Sequence, residues 1–207
     1  RRIIDLSFSI REGMTRFPVS WHPVVEITQL GRLEIEGRET RKLVLGTHTG
    51  THVDAPRHFI AGLPTIDEIL LDQIVGPATV CDFSDADRFQ ELEIADFERV
   101  LGSRPVERII NYFGWSDHFE EDCYYSDHPF ISEEAAQWLV DQDCRMLAMD
   151  TPMPDNPVNG KGCSNDSPNH KILLGNGVVL VEYLTNLKSL KKDIVEIVVA
   201  PLKIEGA

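Results

Sequence analysis

No cysteine pair in this chain has CxxC spacing. Cys81, Cys123, Cys144 and Cys163 stand far apart, so they read as reduced, mostly structural thiols of a cytoplasmic protein. Positive charge is scarce. Twenty Lys and Arg against 34 Asp and Glu leave a net charge of −14, which argues against nucleic acid or an anionic membrane as the main partner. A small anionic substrate stays compatible, because bound divalent cations invert the local potential. Long apolar runs are also missing. None approaches the roughly 20 residues that cross a bilayer. No signal-peptide core follows Arg1-Arg2 and there is no initiator Met, so a soluble piece of a longer chain is expected, not a twin-arginine signal. Gly114-Trp115-Ser116 lacks the second glycine of a nucleophile elbow, and Gly175-Asn176-Gly177 reads as a tight hairpin turn, not a phosphate loop. With no repeat and no linker, the 207 residues read as one mixed α/β domain, 1–207.

Several strand-like runs are present. They are Ile3–Leu6, Val24–Ile27, Lys42–Thr47, Ala78–Phe83, Arg108–Ile110, Met146–Met149, Val178–Val181 and Ile194–Ala200. Helices are fewer. Ser132 is an N-cap before Glu133 and Glu134, and Ile94, Phe97 and Leu101 share a helical face. Thr65 and Glu68 have capping-box spacing before a short helix. Two long irregular segments, Ser116–Asp127 and Asp150–Asn169, are expected to be functional or mobile.

Chemistry concentrates in His48-Thr-Gly-Thr-His52-Val-Asp54-Ala-Pro56-Arg-His58. Read as a strand, positions 48, 50, 52 and 54 point one way, placing two imidazoles and a carboxylate on one face with Gly50 leaving room for an ion. Two His and one Asp suit zinc, manganese or ferrous iron. His58 follows on a turn beyond Pro56 and overhangs the site. The bland alternative, separate polar residues on an exposed strand, explains four such side chains within eleven positions poorly. Independently, Glu182 interrupts the apolar run Val178–Leu184, and a buried carboxylate is costly unless paired with a cation or bound to metal. A metal ligand and an Arg or Lys partner remain equally open for it. His170 alone says little, and His22, His118 and His128 read as surface or loop histidines.

The run His48 to Phe59 resembles in full the HxGTHxDxPxHF signature of the cyclase family, which includes bacterial kynurenine formamidases (arylformamidases) and isatin hydrolases. Ile3-Ile-Asp-Leu-Ser7, Gly114-Trp115, Asp150-Thr-Pro152, His170–Leu174, Glu182–Leu187 and Pro201–Ile204 resemble its further landmarks in order. The resemblance implies a swivelling β/β/α domain with a mixed, partly barrel-like sheet, assembled as a homodimer or homotetramer. It also implies one or two divalent ions, Zn2+ ahead of Mn2+. His48, His52 and Asp54 would bind one ion, and Asp54 would bridge to a second held by His170, with Glu182 contacting both. His58 would be the general acid/base, and Phe17 would contact the substrate. The activity implied is hydrolysis of a small amide, N-formylkynurenine first, with a lactam or lactone as the alternative within the family. An iron oxygenase using His48, His52 and Asp54 as a facial triad, or a non-catalytic metal-binding relative, are the other classes. The chain departs from the family at Thr15 and Phe17, at Tyr112-Phe113 before Gly114, at Met153, in the Asn156–Asn169 loop and in ending at Ala207. Most of these fall where the substrate is expected.

Overall fold

The computed structural model describes residues 2–207; Arg1 of the Arg1-Arg2 opening lies outside them. Among the described residues ten strands are formed: β1 (Glu26–Gly31), β2 (Thr40–Val44), β3 (His52–Asp54), β4 (Val75–Asp82), β5 (Glu91–Leu92), β6 (Arg108–Tyr112), β7 (Phe130–Ile131), β8 (Met146–Met149), β9 (Val179–Glu182) and β10 (Ile194–Val198). Five short helices accompany them: α1 (Leu33–Glu36), α2 (Leu71–Ile74), α3 (Ile94–Leu101), α4 (Glu133–Asp141) and α5 (Pro168–Gly175).

Six strands make one mixed sheet in the order β10-β4-β6-β8-β9-β3, with parallel β4, β6, β8 and β9 flanked by antiparallel β10 and β3. The inner strands β8 and β9 are buried at every position, as parallel strands covered on both faces must be. Their side chains alternate between two cores. Ile109, Leu147 and Leu180 meet Phe97, Leu139 and Leu173 of α3, α4 and α5 on one face. Ile110, Met146, Ala148, Val179 and Val181 meet Ile74 and Ile197 on the other. Period two then assigns Glu182 to the helix-covered face of Leu180. This burial places a carboxylate under α5.

The expected α3 and α4 form, and Ser132 caps α4 by accepting the Ala135 N–H at 3.1 Å. Other expectations fail locally. Ile3–Leu6 is not a strand, although Leu6 accepts the Thr185 N–H (2.9 Å). Thr65 to Glu68 closes a turn, and the helix starts later, at Leu71. Gly175 ends α5 and Gly177 (φ +81°) leads into β9, so this is a helix C-terminus and not a hairpin. Asp150, fully buried after β8, accepts the Phe113 N–H (2.9 Å) and ties the Gly114–Trp115 turn to the sheet end.

Candidate metal centre

The histidine-rich segment is a strand only from His52 to Asp54; residues 47–51 form a turn. The alternation expected from His48 onward is therefore corrected. Gly50 has φ +60°, and a Cβ there would press on Ile10 Cδ1 (3.1 Å) and Met14 Cε (3.2 Å), so it serves the turn and its packing and leaves no room for an ion. Thr51 stitches this turn to the Tyr183 carbonyl and to the Phe8 N–H. The turn folds His48 back over Asp54.

β3 pairs with β9 so that His52 lies opposite Glu182 and Asp54 opposite Leu180. Opposed residues of an antiparallel pair share a face. His52, Asp54 and Glu182 thus meet beneath α5, whose third residue is His170. His170 is helical, not the end of a loop.

The distances divide the cluster in two. Asp54 Oδ1 lies 2.8 Å from His48 Nδ1 and 3.2 Å from His52 Nε2. Asp54 Oδ2 lies 3.4 Å from His170 Nε2 and 3.9 Å from His58 Nε2. Glu182 repeats the division, with Oε2 at 3.5 Å from His52 Nε2 and Oε1 at 3.3 Å from His170 Nε2. Each carboxylate offers one oxygen to each nest.

These contacts are close without being saturated. His52 Nε2, both Asp54 oxygens and Glu182 Oε1 are buried and lack a hydrogen-bond partner of proper geometry. Such orphans are costly unless a cation sits among them. Protonation behaviour says the same. Burial disfavours charge on His52, but Asp54 and Glu182 outweigh it and hold the imidazole up at about 9. Burial likewise opposes charge on His170, and Asp155 and its other carboxylate neighbours raise it well above the usual histidine range. Burial would raise Asp54, yet His48 and the other imidazoles around it hold it well below the usual carboxylate range. Burial and the Asp54 charge push Glu182 up. Without metal, protons supply the positive charge this cluster demands; the donor set fits divalent cations.

His58 sits on the 3-10 turn Pro56–His58, entered through extended Ala55 (ψ 155°). A third of its side chain is exposed (34%). Burial of the ring lowers its pKa to about 4 against the pull of Asp54, and the neighbouring imidazoles add to the effect. The His58 ring is thus neutral at neutral pH.

Phe17 stands outside the cluster, its ring 6.3 Å from that of His22 and 5.6 Å, edge-on, from that of Tyr125. His22, read from sequence as a surface or loop residue, stacks on His48 at 6.0 Å and belongs to this wall. A cavity of about 510 Å³, lined in part by Thr15, Arg16 and Tyr125, opens beyond it. Tyr183, 6.3 Å from Tyr125 and 5.4 Å from His52, separates that cavity from the nests by one layer of rings. Lys161, with its ammonium 4.2 Å from the Trp21 ring, ties the 156–169 loop to the same rim. His118 lies on the surface, and His128 is a loop residue but wholly buried, with Nδ1 facing the Pro129 carbonyl (3.0 Å).

Sequence reading missed Asp155. Fully buried, it accepts the Asn169 N–H (2.6 Å), the His170 N–H (3.3 Å) and His170 Nδ1. It thereby caps α5 and turns His170 Nε2 toward Asp54 and Glu182. Its counterpart on the other nest is weaker: His52 Nδ1 meets only the Gly50 carbonyl (2.8 Å). Carboxylates that orient a metal-bound imidazole contribute about 10–100-fold in metal affinity. Asp155→Asn is therefore expected to lose that much affinity for one ion while the other is retained, read by chelator competition. Equal affinities for both ions in the variant and the parent protein would refute the asymmetry.

Comparison with known proteins bears on this geometry. The family model for "Cyclase" matches residues 4–156, a stretch holding the complete histidine motif and Asp155. A kynurenine formamidase of Erythrobacter litoralis is 29% identical over 206 residues, covering 99% of this chain and 88% of that protein. A second, of Salinibacter ruber, is 33% identical over 171 residues, 79% of this chain and 73% of that protein. Among solved structures, isatin hydrolase A of Labrenzia aggregata, bound to benzyl benzoate, superposes with a TM-score of 0.86 at 26% identity, over 99% of this chain and 88% of that one.

Proposed function

Because this chain belongs to the cyclase family, and is a metal-dependent hydrolase of amide bonds other than peptide bonds, we propose that its substrate is an arylformamide of the N-formylkynurenine type. The division of both Asp54 and Glu182 between two sets of imidazoles carries the mechanistic part of this reading. His48, His52 and Asp54 would hold one divalent ion, Zn2+ ahead of Mn2+, and Asp54, His170 and Glu182 a second. A bound ion supplies Lewis acidity, polarising a carbonyl and lowering the pKa of water from about 15.7 toward 7.

The chain's own residues supply the rest. His58, neutral and within 3.9 Å of Asp54, takes a proton from the attacking water and returns it to the leaving nitrogen as the carbon–nitrogen bond breaks. Phe17, His22 and Tyr125 form an aromatic wall suited to a flat aryl group. Glu182 and His170 crowd the Asp54 centre, which disfavours the three-ligand facial triad of an iron oxygenase.

The test is turnover of N-formylkynurenine by the metal-loaded protein, with isatin in parallel. A kcat/KM of about 10⁴ M⁻¹s⁻¹ or more for the formamide alone supports the assignment. Preference for isatin would move the substrate to the lactams, a reading favoured by the fold likeness to isatin hydrolase A.

The same reading takes residues 1–207 as one hydrolase domain, assembled from identical copies. Support for assembly comes from β1, α1 and β2: among the described residues the two strands pair with no other strand, and the unit exposes Leu30, Leu33, Ile35 and Leu43. A lone two-stranded ribbon is marginal in water, and exposed large apolar side chains concentrated on one small unit suit an interface. Replacing Leu33 and Ile35 together by Glu is expected to reduce the sedimentation mass to that of a single chain; an unchanged mass would rule this unit out as the contact.

A further inference from the structure

A second cluster of ligand-type side chains lies outside the centre just described. The loop between β6 and β7 makes one 3-10 turn at Trp115–His118 and another at Asp122–Tyr124. Between them Glu120 adopts φ +81°, reversing the chain so that Glu121 returns beneath His118. His118 Nδ1 lies 2.8 Å from Glu121 Oε2, and Cys123 Sγ lies 3.4 Å from the same oxygen. The three donor atoms fall within 4.8 Å of one another. The inner side of the loop is anchored: Trp115 is buried and supports the His118 ring at 4.7 Å, and Phe119 stacks on Phe8 at 4.1 Å. Imidazole nitrogen, carboxylate oxygen and thiol sulfur on one side of an anchored loop are the donor types that zinc takes together.

We propose that His118, Glu121 and Cys123 form a peripheral zinc site, completed by water, separate from the hydrolytic centre. Its chemistry differs from that centre in one decisive respect: it contains sulfur, whereas His48, His52, Asp54, His170 and Glu182 offer only nitrogen and oxygen. Binding releases the Cys123 thiol proton to solvent as the sulfur–metal bond forms. Burial and the adjoining Glu121 push this thiol's pKa up, so little thiolate exists before the cation arrives. Glu120, Glu121 and Asp122 line the 510 Å³ cavity next to Tyr125 and Arg16, so an ion here sits in the wall of that cavity, apart from the nests.

Cobalt(II) is the probe, titrated into chelator-stripped protein carrying Cys163→Ser, which removes the other accessible thiol. The expected result is a sulfur-to-cobalt charge-transfer band that saturates with one additional equivalent per chain. Cys123→Ser in the same background abolishes the band and that equivalent, and His118→Gln weakens its binding at least about tenfold. The band is independent of turnover, so it survives even if the arylformamide assignment fails. No band in the Cys163→Ser protein, or a band retained in the Cys123→Ser variant, would overturn the site.

Discussion

Asp54→Asn is expected to lower kcat/KM on the order of 10³-fold and to empty both metal nests at once. Only this residue presents one oxygen to His48 and His52 and the other to His170 and His58. An amide keeps the shape of the carboxylate but loses its charge, and its nitrogen is a donor aimed at imidazole nitrogens or a cation. Loss of metal removes several kcal/mol of transition-state stabilisation, and each 1.36 kcal/mol is a factor of ten. The measurement is metal content per chain by mass spectrometry beside turnover. Among the described residues the Asp54 carboxylate has ion-pair partners only within this cluster, and it is buried there, so far-UV circular dichroism should be unchanged. A variant that keeps one ion and most of its activity would show that the second nest does not depend on Asp54.

His58→Ala is the complementary case: activity falls by about 10²–10⁴-fold while both ions stay bound. His58 stands farther from Asp54 than the other imidazoles and is partly exposed, which suits the proton carrier proposed for it. Its pKa, lowered to about 4 chiefly by burial, gives the sign of the pH profile. The imidazole must be neutral to take the proton, so the contribution of His58 to kcat/KM is lost as pH falls toward that value, below the ordinary 6.5 of histidine. A bound cation lowers the value further and leaves the sign unchanged. The acidic limb should vanish in His58→Ala; a variant retaining turnover and limb would remove His58 from the reaction.

Much of this site can be read before any fold is known, though partly for the wrong reason. The spacing of His48, His52 and Asp54 suggests strand alternation, yet only the last three residues of that run are extended; a glycine turn brings His48 around instead. Convergence is right because the turn and the alternation happen to present the same side chains. Glu182 is legible on energetic grounds alone, since a carboxylate in an apolar strand needs a partner. Asp155 is not legible in this way. It lies among Pro, Asn and Met residues with no periodicity, and its importance appears only when α5 folds back onto it. His22 is the loop residue expected, but its stacking on His48 was not legible: a histidine before a proline in an irregular segment carries no signal of what it will stack on. Inner strands announced themselves by continuous apolar runs, whereas Ile3–Leu6, apolar at the chain's edge, formed no ladder.

On the proposed reading, two cations share Asp54 and Glu182. The most direct test is titration of Mn2+ into chelator-stripped protein, with turnover followed at each step, because manganese prefers oxygen and nitrogen donors and leaves the Cys123 cluster aside. Full activity reached at two ions per chain, falling to one bound ion and little turnover in His170→Ala, is the predicted result. Full activity at one ion per chain, unaffected by His170→Ala, would contradict it.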